Sequence, residues 1–470
     1  MTSSSDSSLA VTAQLAEFAA TVDWNDVPAH VRGLMPVLLI DVFRAGAVGR
    51  GKPWTRSVDA LFGGTTSALA ATVFYSGRRA DPARAAFING TACGSLDWDD
   101  SHVAAIIHPG ICIWPAALAV AEATGASGRE LLAAVLAGYE VAIRIGMSIQ
   151  PEHSLRGFQG TPTCGTFGAA AACARLLKLS PEGVRDALGI ASSFSCGLSQ
   201  FFVSGSDIKR IHAGKAAANG VEAALLAHAG LTGPHDAIEG SQGFGRAFSD
   251  RFDPATAVKD LGTGFRTEWI SLKPHVGSVR MQAAIEAAIW LAQDGVRFDD
   301  VASVEIGVHR AMIGKLTASR PVDVQQAQLS TPFAVALALA LTPGRSGPVT
   351  LTIDDYEGNF GDPRIADLSA RTTCSADAEV ERLTTAESVA ARVTCTLRDG
   401  SRREHFIASP KGCPQNPLTV DEISQRFVAI AEAGFDRAAI DAWLAAARGL
   451  ERLDSVAPLL ALRAGEGEKR

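Results

Sequence analysis

The sequence predicts a mainly α protein in which a large all-helical domain, built from both chain ends, carries a smaller inserted α+β domain. The composition is the first reason: 47% of the 470 residues are hydrophobic and 20% are charged, with 45 glycines and few aromatic residues (20 Phe, 7 Trp and 3 Tyr). Because many of the apolar residues are alanine, close packing of helices is favoured. The second reason is periodicity, which is helical up to about Gly264 and again after Pro410, with alternation in between.

The helical pattern before Gly264 comes in segments separated by Gly, Pro and Ser. Ser127 with Glu130 forms a capping box, and Ser180 before Pro181 places an N-cap ahead of a proline at the first helical position. Thr419 with Glu422 forms a further capping box near the C-terminus. The clearest predicted helices are 31–49, 114–124, 129–149, 166–177, 181–194, 212–229 and 420–433.

Alternation of apolar and polar residues between Trp269 and Pro410 is typical of half-buried strands. The dipeptide Asp399-Gly400 predicts a hairpin turn between the last two of them. We predict strands at 304–309, 349–353, 393–397 and 403–407, with helices at 281–293 and 332–341 among them. This gives a helical domain at residues 1–268 and 409–470 and an α+β domain at residues 269–408.

Charge, cysteine content and hydropathy limit the classes of function. The net charge is −7 and no basic run occurs, so we expect no nucleic-acid partner, whereas a small anionic substrate depends on local charges. The 8 cysteines never form a C-x-x-C motif, which argues against a zinc ribbon or a clustered iron–sulfur site. Residues 1–8 lack the features of a secretory signal, and no uninterrupted apolar run matches a membrane span. We therefore expect a soluble, cytoplasmic protein without membrane contact.

The most unusual local sequence is an acidic and histidine-containing run at residues 96–110. Three carboxylates, including Asp97, accompany Ser101, His102 and His108 in a chain that is poor in charge. Such a cluster supplies proton donors and acceptors, since a carboxylate can fix the tautomer of an imidazole and raise its basicity. A helix-capping loop is the plain alternative. A divalent-metal site is another, but the ligand spacing typical of metal motifs is missing, so we expect no metal.

A second stretch, at residues 157–168, combines glycines with hydroxyl and amide side chains before an alanine-rich helix. Gln159, Thr161 and Thr166 lie where backbone N–H groups at a helix start can bind an anion. The spacing of the glycines does not fit a dinucleotide-binding loop. Close helix–helix contact through Gly165 and Gly168 explains the same residues equally well.

Two further stretches place cations near histidines. Lys209 and His212 open an otherwise small and apolar helix, where cations oppose the helix dipole unless an anion is close. At least one of the cations there is expected to face inward, and Lys209 would pair with a substrate carboxylate. Lys273 and His275 lie at the junction of the two predicted domains, where ligand sites are common.

The order of these motifs resembles the MmgE/PrpD family, which includes 2-methylcitrate dehydratases, cis-aconitate decarboxylases and iminodisuccinate epimerases. The resemblance covers nearly the whole chain and is carried by DWDDSH with HPG, RGFQGTPTCGTFG, KRIHAGKAAANG, SLKPHVGSVRMQAAIEA and QLSTPFAVALAL. It implies a helical domain made of both termini, a smaller α+β lid, a homodimer, and metal-independent chemistry on small polycarboxylates in the cleft between the domains.

The resemblance also implies roles for single residues. Asp97, Ser101, His108, Lys209 and His212 match the family's acid, hydroxyl, histidine and Lys-x-x-His positions, and Lys273 matches its Lys-Pro pair. Three positions depart from the family pattern. Gln159 replaces a histidine, Gln282 stands where a histidine is common, and Phe333 replaces a tyrosine. Neither Gln nor Phe exchanges a proton near neutral pH.

The function expected from this pattern is a lyase of the dehydratase or decarboxylase type, without a cofactor, acting on a citrate- or aconitate-like acid. We expect His108 to be the acid/base group, oriented by Asp97, with Lys209 as carboxylate anchor or acid. We expect the substrate to contact Ser101, His102, Gln159, Thr161, Thr166, His212, Lys273, His275 and Gln282. An epimerase or isomerase of a substituted succinate and a non-catalytic carboxylate-binding paralogue are the alternatives.

Overall fold

The computed structural model describes residues 9–62, 69–204, 206–345 and 347–465. Residues 1–8, on which the expectation about a signal segment depends, lie outside this part. The chain divides into two compact units. A helical unit comprises Met1–Ser95, Asp99–Glu268 and Thr419–Arg470, and an α+β unit comprises Leu96–Trp98 and Trp269–Leu418. The predicted mainly α class is confirmed.

The helical unit contains the helices that precede residue 260 and two C-terminal ones. The first set is α1 Val11–Thr21, α2 Ala29–Gly49, α3 Pro53–Phe62, α4 Pro82–Gly94, α5 Gly110–Thr124, α6 Gly128–Ile149, α7 Glu152–Leu155, α8 Gly160–Leu176, α9 Pro181–Phe194, α10 Phe201–Ser204, α11 Ile208–His228, α12 Phe244–Phe248 and α13 Pro254–Val258. The α+β unit contains α14 Gln282–Gln293, α15 Val324–Gln328, α16 Thr331–Leu341, α17 Ile353–Asn359, α18 Pro363–Ala370 and α19 Ala378–Leu383. The C-terminal pair is α20 Val420–Ala431 and α21 Arg437–Arg448.

The strands of the helical unit have two residues each, and the four longer strands lie in the α+β unit. They are β1 Ala71–Thr72, β2 Arg79–Ala80, β3 Ser101–His102, β4 Ile270–Ser271, β5 Val301–Val308, β6 Thr372–Ala376, β7 Ala391–Leu397 and β8 Arg402–Ile407. The four-stranded sheet has the order β6-β5-β7-β8, with β6 parallel to β5 and the other neighbours antiparallel. Gly400, with a φ of 87°, turns the chain between β7 and β8, as its Asp-Gly sequence predicts.

The capping signals at three helices are confirmed. Ser127 and Glu130 form a reciprocal capping box at α6, and Thr419 and Glu422 form another at α20. The Ser180 side chain accepts from the Gly183 amide at the start of α9. These bonds satisfy N–H groups that have no partner inside the helix.

Small residues let the helices of the first unit approach closely. A Cβ atom added at Gly168 in α8 would lie 2.6 Å from the carbonyl oxygen of Gly138 in α6, and a Cβ at Gly138 would meet Gly168 equally closely. A Cβ at Gly214 in α11 would lie 2.2 Å from the carbonyl oxygen of Phe87 in α4. The alanine- and glycine-rich composition therefore serves packing density.

The helix α6 is long and apolar enough to cross a membrane by length and composition alone. Within its most apolar window, 94% is buried inside the protein, and its side chains form part of the core of the helical unit. Burial on all sides accounts for its apolar composition.

One predicted strand, at 349–353, is wrong. The amide of Leu351 donates to Nδ1 of His275, and its carbonyl accepts from the amide of Val276. These bonds join the segment to residues 275–276 and not to a neighbouring strand. Thr352 then forms a capping box with Asp355 and starts α17 at Ile353. The parallel neighbour of β5 is β6, a strand that the sequence analysis did not predict.

The α+β unit ends at Leu418, beyond the predicted boundary at 408. The amide of Leu272 donates to the carbonyl of Gly412, and the amide of Lys411 donates to the Glu286 carboxylate. These bonds attach the segment after β8 to the α+β unit. The short segment Leu96–Trp98 belongs to the same unit.

Candidate active site

His108 is held by the loop that connects α4 with α5. Its Nδ1 lies 2.9 Å from the Asp100 carbonyl oxygen, 2.9 Å from Ser101 Oγ and 2.9 Å from Asp99 Oδ2. A carbonyl oxygen only accepts, so Nδ1 carries the proton and the neutral ring keeps the lone pair on Nε2. The His108 side chain is 22% exposed, whereas that of Asp99 is 2% exposed. This arrangement suits an acid/base group.

The acidic partner of His108 in the helical unit is Asp99, where the sequence analysis expected Asp97. Asp99 Oδ2 lies at ion-pair distance from the ring and stabilises the protonated form of His108. Asp97 instead accepts from Lys273 in the α+β unit, through its backbone carbonyl at 2.8 Å and its Oδ1 at 2.9 Å. The expected pairing of His108 with Asp97 is thus corrected to a pairing with Asp99, while Asp97 pairs with Lys273.

Asp100 fixes the loop on both sides of His108. While its carbonyl accepts from the ring, its carboxylate accepts from the Gly110 amide at 3.0 Å and from the Tyr139 hydroxyl at 2.8 Å. Asp100 is fully buried, and burial, together with the charges of Asp41 and Asp99, raises its pKa from 3.8 to about 7. Asp100 therefore fixes the position of the His108 ring and of the first residue of α5.

Ser101 and His102 have different surroundings although they are neighbours. The Ser101 hydroxyl contacts Nδ1 of His108, and Ser101 is 1% exposed. His102 is also 1% exposed, and its Nδ1 accepts from the Ala105 amide. Burial lowers the pKa of His102 to about 3. The contact predicted between His102 and substrate is therefore not supported, since a neutral, buried imidazole stabilises the loop itself.

The first turn of α8 connects two histidines of the site. Thr161 Oγ1 accepts from the backbone amide of His108 at 3.1 Å, and the Gln159 side-chain oxygen accepts from Nδ1 of His212. Burial, followed by the charge of Lys209, lowers the pKa of His212 to about 4. Gln159, Thr161 and His212 therefore lie together, as residues of one site would.

Thr166 lies away from the start of α8. It is fully buried in the second turn, and its hydroxyl donates to the Pro162 carbonyl at 2.8 Å. The predicted role of Thr166 in anion binding is not supported, because its one hydroxyl proton is used inside the helix. Gly165 and Gly168 face close neighbours in α5 and α6, as the packing alternative required.

The inward-facing cation at the start of α11 is Arg210. Its guanidinium donates to the Ser95 carbonyl and lies 4.5 Å from the centre of the Trp54 ring. Lys209, one residue before it, is half-buried and precedes His212 by one helical turn. Lys209 and His212 therefore lie next to each other along one face of α11.

In the α+β unit, Lys273 is fully buried and bonded to Asp97, as described above. Asp97 has a φ of 55°, in the left-handed region, and this turn lets its carbonyl and its carboxylate reach the same ammonium group. Trp98 Nε1 donates to the Pro274 carbonyl at 3.4 Å, and Gln328 donates to the Leu96 carbonyl at 3.4 Å. Hydrogen bonds of Leu96 and Trp98, the two neighbours of Asp97, therefore stabilise the Asp97–Lys273 pair.

His275 and Gln282 form a clamp within the α+β unit. The Gln282 side chain accepts from the His275 amide and donates to the carbonyls of His275 and Ser278, all between 3.1 and 3.2 Å. Gln282 is 2% exposed and His275 is 4% exposed. Gln282 therefore supports the loop, and its predicted contact with substrate is not supported. Phe333, 1% exposed, packs near Tyr356 in the core of this unit.

Tyr139 and Gln328 were missed by the sequence analysis, and Asp99 received no role of its own. Tyr139 had a signal, because it is one of 3 tyrosines and lies in an apolar helix, where a hydroxyl needs a partner. Gln328 had none. Asp99 and His108 are ligand types that bind divalent cations. Because Nδ1 of His108 carries its proton toward a carbonyl, Nε2 is the ring nitrogen whose lone pair a cation could bind.

Comparisons with known proteins are consistent across the chain. The model of the MmgE/PrpD N-terminal domain matches residues 13–257, and that of the MmgE/PrpD C-terminal domain matches residues 277–451. A cis-aconitate decarboxylase-like protein of Aspergillus oryzae is 28% identical, covering 97% of this chain and 98% of that protein. A cis-aconitate decarboxylase of Aspergillus terreus is 25% identical over 96% of this chain and 95% of its own length. The human cis-aconitate decarboxylase is 26% identical over 82% and 80%.

Proposed function

The chain belongs to the MmgE/PrpD family, and from that premise we propose that it is a lyase that releases a carboxylate of a cis-aconitate-like polycarboxylic acid as carbon dioxide. The support comes from relatives named cis-aconitate decarboxylases, which are similar over nearly the full length of this chain. Loss of water from a related hydroxy acid is the other reaction type expected of the family.

The proposed reaction needs one proton and no oxidant. The bond between a carboxylate carbon and the carbon skeleton breaks, and carbon dioxide leaves. The electron pair of that bond remains on the skeleton, where an unsaturated carboxylate delocalises it. Protonated His108 then gives its Nε2 proton to the carbanionic carbon and returns to the neutral form.

The observation that carries this proposal is the geometry of His108. Its Nδ1 is directed at the Asp100 carbonyl with Asp99 Oδ2 at 2.9 Å, and in this proposal Nε2 is the atom that transfers the proton. The Asp99 carboxylate stabilises the imidazolium that the reaction consumes. In this proposal Lys209 binds a carboxylate that stays on the product, where its charge also stabilises the developing negative charge.

We also propose that the reaction needs neither a metal ion nor another cofactor. The reason is that an imidazole with its proton on Nδ1 and a lone pair on Nε2 can accept and return a proton without a bound ion. Protein dialysed against EDTA is therefore expected to keep its activity, and restoration of a lost activity by one divalent cation would contradict this.

Proton NMR in deuterated water tests the proposed reaction. Purified, EDTA-dialysed protein is incubated separately with cis-aconitate, citrate, 2-methylcitrate and a substituted succinate. We expect cis-aconitate to lose one carboxyl group, with deuterium incorporated at the carbon that takes the proton.

The other outcomes identify the alternatives. Loss of water from citrate or 2-methylcitrate, with cis-aconitate unchanged, would identify a dehydratase. Deuterium exchange without a net change would favour the epimerase. Thermal stabilisation by a polycarboxylate without any reaction would favour the non-catalytic paralogue.

A further inference from the structure

The ring of His212 is held between two groups of the helical unit. Its Nδ1 bonds the side-chain oxygen of Gln159, the residue that precedes α8. The Phe201 ring meets it edge-on, with the ring centres 5.9 Å apart and the planes at 70°. His212 itself is 8% exposed. The ring orientation is therefore set by a polar and an aromatic neighbour.

This geometry fixes where the proton of a neutral His212 resides. A carboxamide oxygen accepts and does not donate, so Nδ1 carries the proton and Nε2 keeps the lone pair. Among the residues that the structure describes, none bonds Nε2, and Nε2 is not one of the fully buried atoms without a partner. The lone pair of Nε2 therefore points to space that solvent or a ligand can reach.

Burial, followed by the charge of Lys209, keeps the His212 ring neutral. Gln159 carries no charge, and the charged group that acts on His212 is the cation of Lys209. Burial acts in the same direction and lowers the pKa of His212 to about 4. His108 differs in this respect, because Asp99 provides a carboxylate for its protonated form. The two histidines thus have the same tautomer but opposite electrostatic surroundings.

We infer that Gln159 is a positioning residue that fixes the proton of the neutral His212 on Nδ1, so that Nε2 accepts a hydrogen bond from a protonated carboxyl group of the substrate. The inference rests on the proposed function for the presence of such a substrate. The two imidazoles, those of His108 and His212, then have different roles. His108 transfers the proton, and His212 selects a donor group while the neighbouring Lys209 takes a carboxylate.

The inference also explains a departure from the family pattern. A histidine at position 159 could exchange a proton with its neighbour, whereas glutamine cannot. With Gln159 in place, the proton on Nδ1 of His212 has no route away through this contact. The residue at position 159 therefore decides whether His212 is an acceptor or a second acid.

Nitrogen NMR of the full chain labelled with ¹⁵N-histidine tests this directly. The His212 signals are identified by their loss in His212→Gln. In the unmodified protein we expect a protonated Nδ1 and an unprotonated Nε2 from pH 8 down to pH 5. In Gln159→Glu the new carboxylate should favour the imidazolium and raise the midpoint of protonation by at least about one pH unit, a tenfold change in the protonated population. Gln293→Glu, at an exposed position of the other unit, should change neither.

Two results would overturn the inference. One is a His212 with its proton on Nε2 in the unmodified protein, and the other is a Gln159→Glu variant whose His212 titrates unchanged. If Gln159→Glu does not fold, the spectrum of the unmodified protein still decides the tautomer. The measurement needs no turnover, so a failed decarboxylation assay leaves its outcome readable and the two proposals fail separately.

Discussion

The adjacent residues Asp99 and Asp100 contact His108 in different ways. Asp99 presents Oδ2 to the ring of His108, where a charged carboxylate stabilises the imidazolium. Asp100 turns its carboxylate to the Gly110 amide and the Tyr139 hydroxyl, in full burial, and gives the ring only its carbonyl. Asp99 and Asp100 lie in the loop that precedes β3, where neighbouring side chains take separate partners.

The burial of Asp100 makes stability depend on pH. Its pKa is raised from 3.8 to about 7 in the folded protein, so folding favours the protonated form. The stabilisation is complete below pH 3.8 and is lost as pH rises toward 7, at roughly 1.4 kcal/mol per pH unit. We therefore expect the unfolding free energy of the unmodified protein, relative to Asp100→Asn, to fall between pH 5 and pH 7.

Urea unfolding of both proteins at several pH values measures this difference. Asp26→Asn, which removes an exposed carboxylate, serves as the matched control and should give a difference that hardly changes with pH. A difference between the unmodified protein and Asp100→Asn that is equally independent of pH would show that Asp100 titrates near its ordinary pKa.

At this scale the sequence predicted a cluster of carboxylates around His108 but not which of them pairs with it. The acidic run and His108 stand out in a chain with 20% charged residues, and they do lie together. Asp97, two residues before Asp99, has a left-handed backbone conformation with a φ of 55°. Asp is tolerant of that conformation but does not require it, so the residue type alone does not predict the turn.

Among the elements, α8 organises the site. Thr161 in its first turn accepts from the His108 amide, and Gln159 just before it bonds His212. Further along, Gly168 gives the close contact with α6. The glycines and the polar residues of this motif therefore have separate tasks, packing and positioning, which the sequence analysis weighed as alternatives.

Removal of the Thr161 hydroxyl should affect activity more than stability. In Thr161→Val the His108 amide loses its acceptor, which costs about 1 kcal/mol of stability, while the displaced ring should lower kcat by about tenfold or more. Thr161→Ser keeps the hydroxyl and should retain most of the activity. Steady-state kinetics and thermal unfolding of both variants measure this, and equal kcat values in the two would contradict a positioning role for the hydroxyl.

Secondary structure was predictable where its signals are local. The three capping signals and the Asp399-Gly400 turn occur as expected. The segment 349–353 alternates like a strand but is bonded to His275 and Val276, whereas β6 pairs with β5 although only Thr372 of its residues is buried. Strand pairing depends on partners distant in sequence, and a period of two does not reveal them.

For the whole molecule, averages over the chain concealed two different units. The alanine- and glycine-rich composition belongs to the close helix packing of the helical unit, while the four-stranded sheet forms within the α+β unit. Each unit is discontinuous in sequence, so a prediction by chain position assigns Leu96–Trp98 to the wrong unit. The contacts of these residues with Lys273, Pro274 and Gln328 reveal where they belong.

The central claim is that this chain decarboxylates a cis-aconitate-like acid with His108 as the proton donor. The most direct test is the rate of carbon dioxide release from cis-aconitate by the unmodified protein, by His108→Gln and by the matched control His405→Gln. We expect the unmodified protein and His405→Gln to turn over alike and His108→Gln to lose at least about a hundredfold in kcat with an unchanged circular dichroism spectrum. Equal rates for folded His108→Gln and the unmodified protein would contradict the claim.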